Sequence, residues 1–451
     1  MNFTTDFQAL TDFRQQIYNC LPKAADALMN TMDALLTENQ AQSLPELSLS
    51  PYFQRKWHSL YEAFEDGVVE TQKLRHVFAK AAPLADKKRI CLATDASSIA
   101  RPKSKTAKDR TLVHESNLPA GCAPVVAGWQ FSTLALLPDL TSSWTYTLDN
   151  QRIHSNQKTA QVAAIRCAAH LARAEQLKVI VPLLDNQTGK PPLLLADGYY
   201  SCIDFLTLTQ EVACDKLIRL AKNRVLYRPA PPRTLKKGRP KKHGDAFKGD
   251  KPQTHGEPDD VFEDETIQIS CWNRLHFKEA AQIEVSVIRV VRASAAATAR
   301  DPRISWFLFV GQELPPLSEI SLLYSGRYSI EHSYRVDKQD LLWESVRLRT
   351  PEQFERFTHL VACVRNQLCL ARSLGCARQP WERRSGEATP SQVRRALSSI
   401  LVELGTPARV CQVRGKSPGR AKGTKISPAT RYAVIRKSPK VVKKKAKLVQ
   451  T

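Results

Sequence analysis

The chain has 451 residues and carries 67 Lys and Arg against 44 Asp and Glu, a formal net charge of +23 at pH 7. Length leaves room for roughly two to four domains, and the charge points to a polyanionic partner, nucleic acid before membrane. No apolar run reaches the ~18 residues needed to span a bilayer, which argues against a membrane protein.

The first residues, Met1-Asn2-Phe3-Thr4-Thr5-Asp6, lack a basic-then-apolar secretory signal, so the expected location is the cytoplasm. Eleven cysteines are scattered with no Cys-x-x-Cys pair. An odd count without secretion argues against a disulfide framework, and no His lies near paired Cys positions as a zinc site requires.

Residues 1–85 read as an N-terminal helical region, a candidate DNA-binding or dimerising unit. Thr11 to Leu36 has apolar residues at helical spacing, and Pro22 kinks or splits that stretch. Gln42 to Pro51 is a loop, and Tyr52 to Ala82 is helical again.

At residue 86 the pattern changes. Ile90 to Asp95 is a short apolar run closing on a carboxylate, the mark of a buried strand. Val125–Leu136 and Trp144–Leu148 are two more strands. Asn156 to Gln176 is helical, Pro192 to Gly198 is a strand closing on Asp197, Ile203 to Val212 is a helix and Leu217 to Ala221 a strand. Three neighbouring strands followed by helix-linked ones predict a mixed α/β sheet with helices on both faces over 86–224.

A β insertion is expected over 225–315. It opens on a Pro-rich loop with the basic run Lys236 to Gly244, in which Gly238-Arg239-Pro240-Lys241-Lys242 is like a minor-groove hook or is a solvated basic loop. Thr266–Trp272, Ala281–Val291 and Ile304–Val310 alternate as antiparallel strands. The catalytic core resumes over 316–375. A C-terminal helix and a basic tail fill 376–451, and the tail has no acidic residue after Glu403. Such a tail repels itself, should be mobile, and favours nonspecific DNA binding by counterion release.

Helical spacing places Arg327, Glu331, Arg335 and Lys338 on one stripe after Tyr324. A lone acid among bases suits either a surface ion-pair face or a site for a divalent metal beside a phosphate backbone. Asp95 and Asp197 at strand ends, with Glu331 on a helix, supply the hard oxygen donors that two Mg²⁺ or Mn²⁺ ions require.

Tyr324-x2-Arg327-x3-Glu331-x6-Lys338 resembles the Y-R-E-K signature of DDE transposases from bacterial insertion sequences of the family 4 and family 701 kind. Asp95 in Ala93-Thr94-Asp95-Ala96-Ser97 is similar to the family's first acid, and Asp197 in Leu195-Ala196-Asp197-Gly198-Tyr199 to its second. The resemblance spans residues 88–372. It implies a ribonuclease H-like core that cleaves phosphodiesters at transposon ends and joins them to target DNA. Asp95, Asp197 and Glu331 would be catalytic and hold two Mg²⁺ or Mn²⁺ ions, while Tyr324, Arg327 and Lys338 would grip phosphates. Trp272 would stack on a flipped base, or is a sheet-face residue. Arg239 and Lys241 would add DNA contacts. The implied partner is double-stranded DNA, as terminal inverted repeats and target, bound by a homodimer at the nucleoid. The alternatives are a structure-specific nuclease of the same fold and a DNA-binding derivative that has lost catalysis.

Overall fold

The computed structural model describes residues 3–84, 88–114, 125–155, 164–232, 241–293, 302–375, 388–412, 419, 421–425 and 427–436. Five helices come first: α1 (Phe3–Asn19), α2 (Ala25–Thr37), α3 (Leu44–Leu47), α4 (Trp57–Asp66) and α5 (Thr71–Lys80). Next are β1 (Cys91–Ala100), β2 (Thr111–His114), β3 (Val125–Leu136), β4 (Tyr146–Arg152), α6 (Ala164–Ile180), β5 (Leu193–Ala196), α7 (Ile203–Leu208) and β6 (Asp215–Arg219). The insertion contributes β7 (Val225–Tyr227), β8 (Ala246–Lys248), β9 (Asp260–Glu263), β10 (Ile267–Phe277), β11 (Ala280–Arg292) and β12 (Ile304–Val310). The chain then forms α8 (Ile320–Gly326), α9 (Ser329–Gln339), α10 (Pro351–Leu370) and α11 (Pro390–Leu404).

The chain breaks at Pro22 because the ring cannot continue α1, and α2 starts afresh at Ala25. The Ser- and Pro-rich stretch expected as loop contains one short helical turn, α3, capped by Ser43. β1 was expected to close on Asp95, but it runs five residues further, because Ala96 to Ala100 continue the antiparallel ladder with β3.

Among the described residues, the strands join one twelve-stranded sheet in the order β2-β3-β1-β5-β6-β12-β11-β10-β7-β8, with β4 on β3 and β9 on β10. β3 is antiparallel to β1, while β5 and β6 run parallel to β1. The outer edge of β3 is shared: Val125–Gly128 pair with β2, and Phe131–Leu136 with β4. The insertion is no separate sheet, since β12 pairs antiparallel with β6 and extends the core.

Adjacent residues of a strand point to opposite faces. The Phe131 ring meets Phe354 of α10 at 5.5 Å between centroids, whereas Ser132 Oγ donates to Gln176 Oε1 of α6 at 2.8 Å. Helices α10 and α6 therefore cover opposite faces, as the mixed-sheet reading expects.

The N-terminal helices join the α10 layer. Arg14 donates to Gln367 of α10 at 2.6 Å and pairs with Asp33 of α2 at 2.7 Å. Phe64 packs edge-on against Phe357, and Tyr146 of β4 donates its hydroxyl to Phe78 O. At the other terminus, Tyr432 N–H bonds Lys105 O at 2.9 Å and Ile435 N–H bonds Arg110 O at 2.8 Å. This part of the basic tail lies along β2, and it is held there by ordinary backbone hydrogen bonds in spite of its charge. The tail's cations from Lys437 onward lie outside the described residues, as do Arg414, Lys416 and Arg420.

Candidate active site

Register does most of the assembly. β1 and β5 are parallel with Ala93 opposite Leu195, so two residues further on Asp95 comes level with Asp197, one residue past the end of β5. β5 and β6 are parallel with Ala196 opposite Ile218, which brings Asp197 level with Arg219. Parallel neighbours stand ~4.8 Å apart. Two carboxylates and a guanidinium thus sit in a row across three strands, at the end of a sheet where an α/β scaffold presents functional groups.

Each acid has its local anchor. Asp197 accepts from Tyr199 N–H at 3.0 Å and caps the turn Gly198–Tyr200. Asp95 accepts from Ala96 N–H at 2.7 Å. Burial pushes the Asp95 carboxyl up to about 6, the Arg327 guanidinium opposes that rise, and the Asp197 charge adds to it. A carboxyl raised above its unfolded value near 4 favours the protonated form. Its contribution to the stability of the metal-free chain is therefore present below about pH 4 and lost as pH rises through about 6. Thermal unfolding of the wild type and of Asp95→Asn checks this. The wild type should lose ground to the variant between about pH 4 and pH 7, and a constant difference over that window would refute it.

The third acid is reached through an arginine. Gly326 ends α8, where an added Cβ would come within 2.8 Å of Leu140 Cδ2 and push that side chain aside. The next residue, Arg327, is 6% exposed. Its guanidinium lies 3.6 Å from the Asp95 carboxylate and donates to Glu331 at 2.7 Å, one helical turn on. Among the described residues, no three His, Cys, Asp or Glu side chains are placed to hold one ion as they stand. Asp95 and Asp197 come together, and Glu331 is tied to them by a shared guanidinium. Glu331 also lines a cleft of about 560 Å³ with Arg335, Lys338, Ser97, His114 and Gln130.

Tyr324 and Trp272 are both buried. Tyr324 is 1% exposed, its ring 4.5 Å from Phe307 between centroids, and burial pushes its phenol up to about 12. The Arg327 guanidinium lies 5.8 Å from the centre of this ring. Trp272 is 3% exposed and stacked on Trp306 at 6.1 Å, with its Nε1–H directed to Gly256 O. Lys241 is exposed, and Arg239 lies outside the described residues.

Two cations escaped sequence reasoning. Arg219 is visible only through strand register. Arg173 on α6 is 3% exposed, and its guanidinium sits 4.4 Å from the centre of the Tyr200 ring. A signal for it existed: His170, Arg173 and Leu177 share the helical spacing of a buried stripe, so a charged residue stands on the inward face.

The order β4-β3-β1-β5-β6, with β3 antiparallel and β5 and β6 parallel to β1, is that of a ribonuclease H-like core. The chain belongs to the DDE superfamily endonucleases: the family model of that description matches residues 16–277, including Asp95 and Asp197. No curated protein matches it. Among solved structures it is similar to a piggyBac transposase seen by cryo-EM in a synaptic complex with hairpin DNA. That likeness has a TM-score of 0.42 and 9% identity, and it covers 94% of this chain and 88% of that one.

Proposed function

We propose that this chain is a DNA transposase that cuts phosphodiester bonds at the ends of a mobile element and joins the freed ends to target DNA. The observation that carries the reading is the level pair Asp95 and Asp197, held by the parallel pairing of β1 and β5, with Asp95 half-buried beside a second carboxylate. Two such carboxylates repel one another, and a cation between them removes the conflict. Their oxygens are the hard donors that Mg²⁺ or Mn²⁺ takes, so the pair fits the metal that the family implies. Bound there, divalent ions would supply an activated water and charge neutralisation at the phosphate.

The chain's own residues do the rest. Asp95 and Asp197 would hold the ions, with Glu331 as the third donor. Arg327, Arg335 and Lys338 border the same cleft and acids, where they would draw in and orient a phosphate backbone. The partner proposed is duplex DNA, as terminal repeats and target, bound by a homodimer that brings two ends together. The Y-R-E-K spacing favours the family 4 and family 701 kind of insertion-sequence enzyme.

The test is cleavage by the full chain with Mn²⁺ and a labelled duplex carrying the element's terminal inverted repeat. Scrambled and branched duplexes serve as comparisons. Cutting at the repeat boundary, followed by joining to a target, is the expected result. Cutting of branched duplexes alone would mean a structure-specific nuclease, and binding with no cutting under any divalent ion would overturn the reading.

A further inference from the structure

Arg173 is a buried guanidinium that the reaction outlined above does not use. Its Nε and Nη1 make no hydrogen bond among the described residues, and no carboxylate among them forms an ion pair with it. A buried arginine left this way costs several kcal/mol unless something offsets it, so its place needs a reason. Two observations supply one. The guanidinium lies over two consecutive rings, 4.4 Å from the centroid of Tyr200 and 5.5 Å from that of Tyr199. These two rings form the turn that Asp197 caps. Arg173 is also within electrostatic reach of Asp95. One turn earlier on α6, the His170 ring packs against Tyr199 at 5.0 Å between centroids, tilted by 31°, and meets the Cys202 thiol at 3.3 Å. The inward stripe of α6 therefore clamps the segment from Asp197 to Cys202 from one side, and Arg327 approaches Asp95 from the α8–α9 junction.

We propose that Arg173 is a positioning residue for the second acid: by stacking on Tyr200 it fixes the Asp197 turn, so that the Asp95–Asp197 pair is ready for a divalent ion. This rests on the reading of Asp95 and Asp197 as metal ligands. Positioning and simple charge make opposite predictions. If Arg173 acted only through its positive charge, removing it would tighten binding of a cation next door. If it holds the turn in place, removing it loosens the pair and weakens binding by roughly 10- to 100-fold, the range typical of groups that orient metal ligands.

The experiment is a calorimetric Mn²⁺ titration of the full-length protein without DNA, for the wild type, Arg173→Met, Tyr200→Leu and the double variant. Tyr200→Phe, which keeps the ring, is the control. The expected result is weaker Mn²⁺ binding in Arg173→Met and in Tyr200→Leu, no further loss in the double variant, and near wild-type binding in Tyr200→Phe. Unchanged or tighter binding in Arg173→Met would overturn the proposal, as would full additivity in the double variant. Near-ultraviolet circular dichroism shows which variants fold. If Arg173→Met fails to fold, Tyr200→Leu against Tyr200→Phe decides by the same readout. Failure of the wild type to bind Mn²⁺ would instead strike the metal-ligand reading on which this rests.

Discussion

Asp95→Asn is expected to abolish Mn²⁺-dependent cutting of the terminal-repeat duplex while leaving its gel-shift affinity close to wild type. Asn keeps the size and shape of the side chain but removes the negative charge that a hard cation needs. The fold should tolerate the change. Asp95 lies within β1, whose ladder to β3 runs through backbone groups from Leu92 to Ala100, and the amide relieves repulsion with Asp197. The cations of the cleft, Arg335 and Lys338, are untouched, and these carry the attraction to phosphate. Binding and cutting should therefore separate cleanly. Asp197→Asn is expected to behave alike. Cutting at the wild-type rate by either variant would remove that residue from the site.

The largest stability effect is expected at Arg365→Met, about 3–5 kcal/mol, measured as a lower midpoint in urea unfolding. Arg365 of α10 is buried and donates through Nε to Asp337 at 2.8 Å; its Nη2 reaches the same carboxylate and Ser333 O. Burial pushes the Asp337 carboxyl up, and Arg365 opposes that rise. Removing the guanidinium leaves a carboxylate with no cation inside the protein, the costly way to break a buried pair. Replacing both partners, Arg365→Met with Asp337→Leu, should recover most of the loss, because apolar pairs of similar volume are tolerated there. The effect reaches the site because Asp337 and Glu331 share α9. Cutting should fall in the single variant even at temperatures where it remains folded. A single-variant loss under about 1 kcal/mol would mean that water solvates the carboxylate after all.

The acids were legible in the sequence because each follows a local rule. Apolar runs meeting a carboxylate identified Asp95 and Asp197, and i, i+4 spacing identified the Arg327–Glu331 pair, which closes at 2.7 Å. The strands of the insertion were legible by alternation, as β10, β11 and β12 attest. What local rules do not carry is depth and pairing. Tyr324 and Trp272 belong to residue types that serve equally in cores and at DNA, and their packing against Phe307 and Trp306 follows no local pattern. Arg219 joins the acids because β6 pairs beside β5, and Arg173 because α6 lies over Tyr200; both depend on partners distant in the chain. The run of β1 past Asp95 is likewise set by β3, since Ala96 to Ala100 have little apolar alternation of their own.

The parallel pairing of β1 with β5 also constrains how such a gene can drift. Side chains along a strand alternate between faces, so losing or gaining one codon between Leu193 and Asp197 would turn the second carboxylate to the opposite side of the sheet. Small insertions in the surface connections cost little by comparison. Copies of this gene that remain competent should therefore vary in length in their loops, while the four residues from Leu193 to Ala196 that lead to Asp197 keep their count.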